Sequence, residues 1–113
     1  MARHDYKKLF QQLTQGHPAQ RMAAHFILVA LQEQAVEPLV DELYAGVTDE
    51  QGEAIIKVLA EIGGPDALMT LRDVYAQAGA RPALQKAAAL GLLRNVDNLS
   101  PHERDELAAY LAN

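Results

Sequence analysis

Four histidines, one adjacent His-Glu pair, a Gly-Gly-Pro turn and a single serine are the residues of this chain best suited to chemistry. Two imidazoles three or four residues apart on one helical face make a zinc site. His4, His17, His25 and His102 show no such spacing, so no metal site is expected. His25 lies inside an apolar run and reads as a core histidine whose ring nitrogens are satisfied by backbone or water. Ser100-Pro101-His102-Glu103 places serine at a helix N-cap, proline at N1 and glutamate at N3, which engages Glu103 in a capping box. Ser100 is not in a nucleophile elbow. Gly63-Gly64-Pro65 is too short to cradle a phosphate. The absence of cysteine rules out disulfides, thiolate zinc sites and thiol catalysis. The expectation is a protein that is not an enzyme and carries no cofactor.

Function must then reside in a surface, and a surface depends on the elements beneath it. The chain is 50% hydrophobic but only 5% aromatic. Alanine supplies much of the apolar content, which suits close helix packing, and no alternating β-branched run suggests a strand. Breaks at Gly16-His17-Pro18, Gly46-Val47, Gly63-Gly64-Pro65-Asp66 and Gly79-Ala80-Arg81-Pro82 divide the sequence, and Thr48 with Gln51 forms a second capping box. Helices are predicted at 4–15, 18–33, 35–45, 49–62, 66–78, 82–94 and 100–112. The longest apolar run, Phe26 to Leu31, falls far short of the ~20 residues that span a bilayer. With no signal peptide at the start, a cytoplasmic protein without membrane contact is expected.

Sliding the sequence against itself by 31 residues aligns Leu28 with Leu59 and Leu90, and Leu31 with Ile62 and Leu93. In the intervening helices the same shift brings together Leu9, Val40 and Leu71, and Leu13, Tyr44 and Tyr75. One amphipathic hairpin cannot bury its apolar face alone, so hairpins at a fixed period stack on a shared core. Residues 22–31 and 87–93 are apolar nearly all round and are expected to be buried.

Three segments carry a family likeness: Ala88-Ala89-Leu90-Gly91-Leu92-Leu93-Arg94-Asn95, Ala35-Val36-Glu37-Pro38-Leu39-Val40 and Leu59-Ala60-Glu61-Ile62-Gly63-Gly64-Pro65-Asp66. With them, residues 18–113 resemble HEAT repeats of the short kind found in phycobilisome-lyase-type proteins. The resemblance implies an all-α fold, a short right-handed α-solenoid of about seven antiparallel helices, roughly 3.5 repeats. Residues 1–113 would form one domain, with 4–15 unpaired and repeats at about 18–46, 49–78 and 80–112. Such repeats often carry an aspartate before the first helix and an arginine four residues on. The corresponding pairs are His17/Arg21, Thr48/Gly52 and Gly79/Ala83, of which only Arg21 fits. HEAT-like deoxyhypusine hydroxylases bind iron through several His-Glu pairs, and His102-Glu103 alone cannot complete that site. HEAT-like DNA glycosylases need a basic, aromatic concave face, and this chain has no tryptophan.

The net charge is −5. No lysine or arginine occurs between Arg21 and Lys57, a stretch holding Glu33, Glu37, Asp41, Glu42, Asp49, Glu50 and Glu53. Seven uncompensated carboxylates would repel a phosphate backbone, so no nucleic acid is expected as partner. In a solenoid the second helix of each pair lines the concave side. The expected contact strip joins Lys8 and Gln12 from the first helix, Glu37, Asp41 and Tyr44 from 35–45, and Arg72, Asp73 and Tyr75 from 66–78. Tyr44 and Tyr75, one period apart, should stand side by side as anchors. The leading expectation is an adaptor or scaffold whose acidic, tyrosine-bearing face receives a basic peptide or helix of another protein. Two alternatives are a bilin- or tetrapyrrole-handling protein, as the resemblance implies, and a homodimer in which basic Lys7 and Lys8 meet the acidic strip of a second copy.

Overall fold

The computed structural model describes residues 5–77 and 81–113. Its helices are α1 (Tyr6–Gln15), α2 (Pro18–Leu31), α3 (Glu33–Tyr44), α4 (Asp49–Ile62), α5 (Gly64–Gln77), α6 (Pro82–Leu93) and α7 (Pro101–Ala112), with a 3₁₀ turn at Val96–Asn98 before α7. The described residues contain no strand. The helix start expected at His4, the helix end expected at Ala78 and the Gly79-Ala80 break fall outside the described residues, as does Arg3.

Local sequence accounts for the ends. Thr48 with Gln51 and Ser100 with Glu103 form the two expected capping boxes, and His17 with Gln20 forms a third that the sequence reading missed. An imidazole nitrogen there does the work usually given to a Ser or Asp oxygen. Two helix pairs turn on one residue each, Gln32 between α2 and α3 and Gly63 between α4 and α5. Both hold positive φ, 54° and 65°.

The first helices α2, α4 and α6 lie side by side, and α3 lies beside α5. α6 packs broadly on both α4 and α5, while α1 covers α2 and reaches α4. Leu28, Leu39, Ile55, Ile56, Val58, Leu59, Leu71 and Leu92 are the largest fully buried side chains and form the centre. Gly91 allows α6 its approach to α4: a Cβ there would lie 3.0 Å from the Ala60 Cβ and 3.3 Å from Leu71. Asn95 seals the same contact, donating from Nδ2 to the carbonyls of Ala60 at 3.0 Å and Gly91 at 2.9 Å.

The constant period does not survive in the third layer. Leu28 and Leu59 are 0% exposed, but Leu90 is 48% exposed. From α2 to α4 the burial pattern repeats at 31 residues, with Ala24 and Leu28 matching Ile55 and Leu59. From α3 to α5 it repeats at 32, with Ala35, Val36 and Leu39 matching Ala67, Leu68 and Leu71. From α4 to α6 it repeats at 33, with Ile55, Ile56 and Leu59 matching Ala88, Ala89 and Leu92. The cause is length: α5 has 14 residues to α3's 12, with Gly64 added before the matched stretch and Gln77 after it. Leu92, not Leu90, is the third member of the buried column.

Two further expectations are corrected. α2 is not buried all round, since Met22 is 63%, Phe26 62% and Ile27 44% exposed; nothing else in the chain covers that side. His25 is half-buried rather than a core residue, and its Nε2 lies 3.0 Å from a carboxylate oxygen of Glu61 on α4. Glu61 also meets Arg94 at 3.6 Å, so α2, α4 and the end of α6 share one polar link.

Candidate interaction surface

α3 is built to show one acidic side. Ala35, Val36, Leu39 and Leu43 turn inward, which places Glu33, Glu37, Asp41 and Tyr44 on the exposed side at helical spacing. Pro38 sits inside this helix and has no N–H for the Gln34 carbonyl. The Tyr6 hydroxyl of α1 donates to that carbonyl instead, at 3.1 Å. α3 therefore keeps its helical course, and its outer row stays aligned. On α5 the matching outer positions are Asp66, Met69 and Asp73, all exposed.

Tyr44 and Asp73 connect the two helices. Partial burial, and secondarily the Asp73 carboxylate, raise the Tyr44 hydroxyl above its ordinary pKa. The phenol stays neutral through the physiological range and offers a donor beside a carboxylate. Its ring is 57% exposed, so the large face remains available to a partner.

The residues expected to share one strip fall into three places. Glu37, Asp41, Tyr44 and Asp73 occupy the exposed sides of α3 and α5. Arg72 and Tyr75 are engaged between α5 and the C-terminal segment instead. Arg72 donates to Glu103 at 2.8 Å and to the Asn98 carbonyl at 3.2 Å, and the Tyr75 ring meets Tyr110 edge to face at 5.3 Å. Burial first, then Glu106 and Tyr110, raise the Tyr75 hydroxyl above its ordinary pKa. The register of 32 makes Leu43, not Tyr44, the counterpart of Tyr75, which is why its ring contact is with α7. Lys8 and Gln12 line a separate depression of about 320 Å³ with Gln15 and Gln20 at the start of α2.

The acidic stretch is also less uncompensated than its sequence implies. Arg21 reaches Glu50 at 3.3 Å. Arg81 grips Asp49 at 2.8 Å and the Val47 carbonyl at 2.6 Å, tying the start of α6 to the start of α4. These links stand roughly one period apart, so charges in the first turns of successive first helices were the signal that would have revealed them. Among the described residues Glu37, Asp41 and Asp73 enter no ion pair.

A groove of about 610 Å³ runs between α4 and α6, floored by Ile56, Ala60 and Gly91 and edged by Lys57, Lys86 and Arg94. The exposed Leu90 lines it, a feature hidden from a fixed 31-residue register. Among the described residues no group of three His, Cys, Asp or Glu stands close enough to hold a metal ion, and no helix is long and apolar enough to cross a membrane. No protein-family model, no curated protein and no solved structure matches the chain.

Proposed function

We propose that this chain is a non-enzymatic interaction module, a short HEAT-like α-solenoid whose α3–α5 side receives a basic segment of another protein. Burial patterns that recur from α2 to α4 and from α3 to α5, and first helices that lie side by side, support the stacked architecture. One contrast carries the functional reading. Asp49, Glu50, Glu61 and Glu103 are each held by an internal arginine or histidine, whereas Glu37, Asp41 and Asp73 face water around Tyr44. A row of solvated carboxylates beside an exposed aromatic face suits lysine or arginine, with cation–π contact added to charge. Arg72 and Tyr75 are structural in this reading, and Lys8 and Gln12 lie outside the contact.

The test is titration with a short Lys/Arg-rich helical peptide, followed residue by residue by NMR. Shifts should centre on Glu37, Asp41, Tyr44 and Asp73 and weaken with added salt. Asp41→Lys should reduce affinity about ten-fold, while Glu106→Lys on α7 should leave it unchanged. Equal loss in both variants would mean only the net charge of the protein is being felt, and the reading would fail.

A further inference from the structure

α2 is apolar on the side that the rest of the chain leaves open. Ala19, Met22, Ala23, Phe26, Ile27 and Ala30 recur at alternating steps of three and one, and all six are exposed. Charge marks the contrast with α4, where the corresponding residues one period on are Glu50, Glu53, Ala54, Lys57, Val58 and Glu61. Val58 is fully buried, but its counterpart Ile27 is 44% exposed. A helix apolar all round normally has cover on every side. Three large side chains and three alanines at these exposures present on the order of 350 Å² of apolar surface, the range in which a patch marks a contact.

We propose that the cover is α2 of a second copy of this chain, running antiparallel across a two-fold axis that passes between Ala24 and His25. Such an axis sets Ala19 opposite Ala30, Met22 opposite Ile27 and Ala23 opposite Phe26, since the numbers in each pair have the same sum. Any stripe of this spacing reads the same in reverse, so the position pattern alone proves nothing. The sizes are specific to this sequence. Phe26, the bulkiest residue, meets Ala23, the vacancy it needs, and does so twice. Alanine against alanine at both ends lets the backbones approach closely, and antiparallel helices oppose their dipoles favourably.

Charge on the neighbouring helix agrees. The same axis, carried one period on to α4, sets Lys57 opposite Ala54 of the other copy and beside the Glu53 of that copy. The two-fold supplies this attraction twice. The paired α2 patches hide about 700 Å², and the flanks of α4 bring the total to roughly 1,200 Å², the lower edge of specific interfaces. A reversible dimer is expected, with dissociation in the micromolar range.

Light scattering and sedimentation equilibrium on the full chain test this. The mass should be twice the chain's 12.3 kDa at about 200 µM and fall toward the monomer on dilution. Phe26→Glu should weaken the dimer at least ten-fold while helical circular dichroism stays unchanged, since Phe26 is already exposed. Asp41→Lys on α3 should leave the dimer intact. The chain has no cysteine, so orientation can be read by mixing Ala19→Cys with Ala30→Cys under oxidation. The mixed 19–30 disulfide should dominate. A monomer at all concentrations, a dimer indifferent to Phe26→Glu or sensitive to Asp41→Lys, or dominant 19–19 and 30–30 products would each overturn the proposal.

Discussion

The Tyr6 hydroxyl donates to the Gln34 carbonyl across 3.1 Å, filling the place of the N–H that Pro38 lacks. Tyr6→Phe should therefore destabilise the fold by about 1 kcal/mol. In a Pro38→Ala background the helix supplies its own donor, and the same substitution should cost less. A double-mutant cycle by chemical denaturation should give a coupling of at least about 0.5 kcal/mol. Strictly additive costs would refute the compensation.

Gln32 and Gly63 turn the same corner with φ 54° and 65°, yet only Gly63 does so without crowding of a Cβ. Gln32→Gly should raise stability by about 1 kcal/mol, seen as a melting temperature higher by roughly 4–8 °C. Gly63→Ala should lower it, because a Cβ there meets Asn95 Oδ1 at 3.0 Å as well. A fall in melting temperature for Gln32→Gly would show that the side chain contributes more than the strain removes.

Gly91→Ala places a methyl group 3.0 Å from the Ala60 Cβ, an atom fixed to its backbone and unable to swing aside. α4 and α6 must separate, at a cost of about 1–3 kcal/mol that outweighs the roughly 1 kcal/mol gained in helix propensity. Thermal unfolding should show the loss, and hydrogen exchange should locate it in α4 and α6. A stabilised Gly91→Ala would mean the two helices have slack.

The side-chain hydrogen bond from Arg72, with further bonds from Ser100, holds the Glu103 carboxyl below its ordinary pKa. A depressed carboxylate adds stability above its unfolded-state value, and that contribution is lost as pH falls through the lower folded value. Glu103→Gln keeps an N3 acceptor for the capping box but removes the charge. The variant should be less stable than the parent at neutral pH, with the gap closing in acid. A gap that is constant with pH would assign Glu103 to capping alone.

Tyr44 should ionise above the usual tyrosine range, and Asp73→Asn should bring it down without restoring the ordinary value, because burial is the larger cause. The neutral phenol is the form the fold favours, so its contribution holds below the unfolded-state pKa and is lost as pH rises through the folded one. Ring-carbon NMR shifts across an alkaline titration give both midpoints. An unmoved midpoint in Asp73→Asn would separate the two residues and divide the acidic side in two.

Most helix ends were legible because they rest on local chemistry: Thr48 with Gln51, Ser100 with Glu103, and proline at N1 of α2, α6 and α7. The His17 box was missed because histidine is an uncommon cap. Register was less legible. Leu90 follows the leucine period in sequence but leaves the core, since alanine and glycine on α6 fill the buried side and hydrophobicity cannot distinguish Leu90 from Leu92. The exposed row Glu37, Asp41 and Tyr44 followed directly from helical spacing on α3. The roles of Arg72 and Tyr75 did not, because their partners Glu103 and Tyr110 lie on a helix about thirty residues away, beyond the reach of any local pattern.

The growing interval between layers sets a rule for lengthening this protein by duplication. An inserted copy cut by count at 31 residues would arrive two residues short of the α4-to-α6 spacing and rotate the following helix by about 200°, turning its leucines to water. A graft from Thr48 through Ala80, joined ahead of Arg81, would carry its own N-cap and bring an Asp49 for each following arginine to clasp. Tandem growth of this chain is thus a matter of matching caps and clasps, and uniform blocks would unravel it.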